Sequence, residues 1–218
     1  MRLLKVPKWT IDAVSKVLTV HPRLFVGTPG LTENQEELSF ANFKLVLPVY
    51  VTKIPARRRA RRSKKPLKQS WFKPKRIAWR FFLETKQGVN VAVELHAKRG
   101  IENYHQLQHG QFIQHTFDSI QRVMRSTRVK KQNYSLCLVQ VPMLYFSALW
   151  LIGSRGRDLF IPLVNFPGRL KTGRFYARAA VVSALGKKLS ERRKAHETLL
   201  ARRAASKVLK REGIPEPN

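Results

Sequence analysis

The sequence predicts an α+β fold: a small, mostly antiparallel sheet of four or five strands with one packed helix, a basic flexible arm and a long basic C-terminal helix. Three observations carry that expectation. Large apolar residues recur at every second position over 77–83 and again over 89–95. Between 112 and 124 they recur at spacings of three and four. Positive charge is concentrated in two segments on either side of a nearly ordinary middle.

In the middle, "IAWRFFLE" sets Ile77, Trp79, Phe81 and Leu83 on one face of a strand, and "VNVAVEL" does the same with Val89, Val91, Val93 and Leu95. Thr85-Lys86-Gln87-Gly88 between them reads as a hairpin connection. After a polar loop, Phe112, Ile113, Thr116, Phe117, Ile120, Val123 and Met124 define an amphipathic helix with His115, Asp118, Arg122 and Arg125 on its outer side. "YSLCLVQV", "LYFSALWLI" and "DLFIPLV" predict further strands, with "GSRGRD" as the turn between the last two. The uncharged run from Leu136 to Gly153 is near the lower limit for a membrane span. Gln140, Pro142 and its many β-branched and aromatic residues fit a broken pair of buried strands better.

The flanks are less regular. Trp9 to Leu18 is a candidate short helix, Thr32 and Gln35 resemble a capping box, and "FKLVLPVYV" reads as a strand that Pro48 relegates to a sheet edge. From Arg174 to Arg211 the chain is rich in Ala, Leu, Lys and Arg, with Gly186 expected to interrupt the helix and Ser190 to recap it. The resulting organisation is an N-terminal segment (1–52), a basic arm (53–76), a central α+β domain (77–168) and a basic helical extension (169–218).

Charge carries the functional expectation. The chain holds 43 Lys and Arg against 13 Asp and Glu, a formal net charge of +30. Residues 53–80 contribute thirteen basic residues and no acid, and residues 169–218 contribute fourteen against four. Such a surplus repels itself unless a polyanion neutralises it. Arg57, Arg58, Arg59, Arg61, Arg62, Lys64 and Lys65 suit phosphate contacts, because guanidinium groups bond phosphate in pairs and stack on bases. Lys73 and Arg76 extend the set, and Trp71 beside them is either a stacking ring or a seal on the core edge. Arg192, Arg193, Arg202 and Arg203 are the expected contacts of the second segment.

These features predict a non-enzymatic RNA-binding protein, a structural component of a ribonucleoprotein or ribosome, with nucleic acid and other proteins of that particle as partners. RNA is favoured over DNA because a small mixed core with an arginine-rich arm and a long basic helix is the composition of proteins embedded in large RNA. Two alternatives stay open: a DNA-binding or replication-associated factor of a plasmid, phage or organelle, and a membrane-active cationic protein or toxin. For the arm itself, a solvated linker or a nuclear-import signal is the plainer reading. The expected location is cytoplasmic or nucleoid-associated, with a mitochondrial or nuclear one as alternative, since "MRLLKVPKWTIDAVSKVL" is short, basic and partly amphipathic.

No cofactor is expected. Catalytic templates are missing from the residue pattern: "GRLKTGRF" has phosphate-loop glycine spacing, but Arg174 and Phe175 stand where Lys and Ser/Thr are needed. His96, His105, His109 and His115 cluster in sequence with Glu94, Glu102 and Asp118. His105 and His109 would share a helical face, but no HExxH register accompanies them and Gly110 follows, so no metal is expected. The lone Cys137 reads as a small buried side chain.

Overall fold

A computed structural model describes residues 3, 5–20, 43–52, 71–85, 88–96, 104–166 and 170–211. After helix α1 (Lys8–Val20) come strands β1 (Phe43–Val51), β2 (Lys75–Thr85), β3 (Gly88–His96) and β4 (Tyr104–His109), then helix α2 (Gln111–Arg125) and the helical turn α3 (Thr127–Lys130). Strands β5 (Ser135–Val141), β6 (Phe146–Ile152), β7 (Leu159–Pro162) and β8 (Tyr176–Ala177) follow, and the chain closes with helix α4 (Arg178–Arg211).

The α+β class holds, but the sheet is larger than the four or five strands expected. Eight strands form one mixed sheet in the order β4-β3-β2-β1-β5-β6-β7-β8. That order is symmetric about its centre. β1–β4 make one antiparallel meander followed by α2, and β5–β8 make a second followed by α4. The halves meet where β1 and β5 run parallel, with Val49–Val51 beside Leu138–Gln140. A pseudo-twofold axis along the strands reproduces this arrangement, and such an axis must put the two helices on opposite faces.

The core clusters agree. Ile113, Ile120 and Val123 of α2 pack with Ala78, Phe82, Ala92, Leu136, Leu138, Leu149 and Leu151. On the opposite face, Val181, Val182, Leu185 and Leu189 of α4 pack with Cys137, Val139, Val141, Ala148, Trp150 and Phe160. Val14 of α1 closes over Trp79, Phe81, Leu83, Val91, Val93 and Leu95 on that same opposite face. Strands β2, β3, β5 and β6 are thus buried on both sides. This explains the unbroken apolar run from Leu136 to Gly153: it forms β5, a short 3-10 turn at Pro142–Leu144 and β6. Among the described residues no helix is long and apolar enough to cross a membrane.

Three further expectations change. Pro48 lies in a central strand, one residue before the parallel ladder with β5 begins at Val49. Glu94, expected on a polar face, is buried opposite Arg80 on β2, whose Nε donates to Glu94 Oε1 at 2.6 Å. Both side chains sit beneath α2, and each neutralises a charge that could not stay buried alone. Gly186 does not break the last helix, which runs unbroken from Arg178 to Arg211.

Candidate nucleic-acid interface

The expected phosphate contacts Arg57, Arg58, Arg59, Arg61, Arg62, Lys64 and Lys65 lie outside the described residues; the elements flanking them are well placed. Val51 at the end of β1 pairs with Lys75 at the start of β2, so residues 53–70 join two neighbouring antiparallel strands at one end of the sheet. The chain departs at Thr52, whose N–H donates to the Gln140 carbonyl at 3.1 Å. It re-enters at Trp71 and Phe72, under α4.

Trp71 is therefore part of the core. It is 7% exposed, meets Phe72 edge to face at 5.7 Å and packs in the cluster that contains Val182, Leu185 and Leu189. Of the two roles open to this ring, sealing the core edge is the one its burial allows; a base cannot reach it in this conformation. Phe72 is likewise buried against Phe160 at 5.8 Å, and Arg178 at the start of α4 donates to its carbonyl at 3.2 Å. These contacts bring the roots of the two basic segments together, a proximity for which sequence separation gives no hint.

Beyond that root the cations are exposed. Lys73, Lys75 and Arg76 line the entry to β2, with the Arg76 guanidinium 5.1 Å from the centre of the Trp79 ring. On α4 the last buried residue among the described side chains is Leu189. From Ser190 to Leu200 the side chains are exposed or half-buried, including Arg192 and Arg193. Arg202 and Arg203 belong to the final turns of the same helix. Four acidic groups among the described residues are engaged elsewhere: Glu84 with Lys44 at 2.6 Å, Glu94 with Arg80, Asp158 with Arg178 at 3.5 Å and Glu191 with Lys188 at 3.4 Å. None of these four pairs uses Lys73, Arg76, Arg192 or Arg193.

One exposed aromatic escaped the sequence reading. Tyr145, after the Pro142–Leu144 turn, is 80% exposed and holds a left-handed backbone (φ 50°, ψ 37°). Arg192 reaches back from α4, places its guanidinium 5.3 Å from the centre of that ring and donates to the Met143 carbonyl. The residue was hidden inside the apolar run, where Pro142 was the local sign of a turn. At the other end of the sheet a cleft of about 320 Å³ is lined by Lys131, Gln132, Asn133, Tyr134, Gly153, Ser154 and Arg157, a lining rich in donors.

The helical face that His105 and His109 were expected to share does not form. His105 and His109 lie on strand β4 rather than on a helix, and four residues along a strand separate their backbones by roughly 13 Å. No group of three or more metal-binding side chains occurs among the described residues. Cys137 is fully buried, and burial pushes its thiol up to about 12, far from a nucleophile's range. The chain past Gly173 enters β8, so the phosphate-loop-like stretch lacks the helix N-terminus on which such loops depend. No family model, curated protein or solved structure matches the chain.

Proposed function

We propose that the chain is a non-enzymatic RNA-binding protein, a structural component of a ribonucleoprotein or ribosome. The arm at 53–76 and the distal half of α4 hold the phosphate backbone, and the eight-stranded body serves as their mount. The observation that carries this reading is the reach of α4. It continues past Leu189, the last buried residue among its described side chains, to Arg211 with eight Lys and Arg against two Glu. Helices in proteins gain most of their stability by packing an apolar face, and from 190 to 200 no side chain of this one is buried. The charge of these turns also opposes a second basic segment rooted beside them, an arrangement that a polyanion relieves.

RNA is preferred to DNA on composition, and competition between a structured RNA and duplex DNA at matched salt decides between them. The direct test measures RNA affinity across a salt series. If eight side chains neutralise phosphates, log affinity falls against log salt with a slope of roughly −6 to −7. Deleting residues 57–65, or ending the chain after Ser190, should weaken binding and flatten that slope. Affinity and slope unchanged in both variants would overturn the assignment.

A further inference from the structure

We infer that Tyr145, backed by Arg192, is a stacking platform for an unpaired base, so that the RNA engaged at this end of the sheet is single-stranded. The inference rests on the RNA-binding reading and specifies what part of the RNA is taken.

Four features of the residue support it. The ring is 80% exposed although its chain neighbours Leu144 and Phe146 are both buried. A side chain that only needed to escape the core would be served by a small polar residue. The backbone is in the left-handed region, which costs a bulky residue energy that glycine or asparagine would avoid; such conformations persist where the surroundings fix them, often at ligand sites. The surroundings do fix it. Pro142 opens the 3-10 turn, the Tyr145 N–H donates to the Pro142 carbonyl at 2.9 Å, and Arg192 ties the turn to α4 through Met143.

Location is the fourth feature. Thr52, where the arm leaves, bonds to Gln140, two residues before Pro142. The pseudo-twofold axis relates the β5–β6 connection, which carries Tyr145, to the β1–β2 connection, so the two leave the sheet at the same end. A guanidinium against one part of the ring matches the pairing of aromatic stacking and phosphate attraction used by proteins that hold single strands. A duplex buries its base faces against one another and offers nothing for the ring to cover.

The test uses the full-length chain and two labelled RNAs, an unstructured oligonucleotide and a perfect duplex, with fluorescence anisotropy as readout. Tyr145→Ala should lower affinity for the single strand by about 5- to 100-fold and leave duplex affinity within about twofold, while Tyr145→Phe retains binding. Because no charge is removed, the salt slope of Tyr145→Ala should equal that of the unaltered chain. Thermal melting shows that each variant folds. Unchanged single-strand affinity, or an equal loss on the duplex, overturns the platform and leaves the RNA-binding reading standing. If the unaltered chain binds neither RNA, both fall.

Discussion

Helices α2 and α4 follow the two meanders in equivalent places, yet one stops where the sheet stops and the other does not. α2 buries Ile113, Thr116, Ser119, Ile120 and Val123 along its fifteen residues, so its length matches the surface it covers. α4 has 34 residues, about 51 Å at 1.5 Å per residue, and among its described side chains the last to be buried is Leu189. Two elements with the same topological role thus differ in what their length is for. In α2 every turn contributes to the core; in α4 the first turns do so, and the side chains of 190–200 are exposed or half-buried.

What lies beneath the helices differs too. The face under α2 contains the buried Arg80–Glu94 pair, whereas the cluster under α4 is apolar and aromatic. The largest expected effect tests that contrast. Glu94→Ala leaves the Arg80 guanidinium buried without its partner and should cost about 3–5 kcal/mol in urea denaturation. Replacing both residues by apolar side chains of similar volume should recover most of the loss. A small effect of the single change would mean that Arg80 finds water or another acceptor, and that the two faces are less different than their composition implies.

A second pair of substitutions divides α4 itself. Leu185→Ala removes a fully buried side chain and should cost about 2–5 kcal/mol, close to what Ile120→Ala costs in α2. Leu199, 55% exposed, should tolerate the same change to within about 0.5 kcal/mol. Equal losses at 185 and 199 would show that the distal turns pack somewhere, and would remove the argument from unpacked length.

The sequence made some of this readable and hid the rest for identifiable reasons. Period-two alternation located β2 and β3 to within a few residues, and spacings of three and four located α2, because each pattern is a direct image of one buried face. β4, "YHQLQH", was lost because an edge strand can be polar and still pair through its backbone. Burial of the second face of β2 was lost because Arg80 breaks its apolar pattern, and its partner Glu94 is adjacent only once the β2–β3 register is known. Pro48 pointed to an edge, since the local rule knows nothing of where β5 begins to pair. At the interface, the charge segments were plain from composition, while the convergence of Trp71 on α4 and the exposure of Tyr145 required the fold.

Gly186 gives the smallest and most local test of how α4 is divided. A glycine in a helix interior costs roughly 0.5–1 kcal/mol relative to alanine, which is why it suggested a break. The helix continues through it, and a Cβ there would meet its nearest neighbour, Trp71 Nε1, at 3.9 Å, an ordinary van der Waals contact. Gly186→Ala should therefore stabilise the chain by about 0.5–1 kcal/mol, a rise of roughly 1–4 °C in Tm for a protein of this size. The gain would appear in the packed part of the helix, where folding and the docking of Trp71 are linked. Gly186→Leu should instead drive side-chain atoms into the indole and lower Tm. A fall in Tm for the alanine variant would show that α4 needs closer approach to the root of the arm than a methyl group permits, so that the two basic segments are fastened at this one residue.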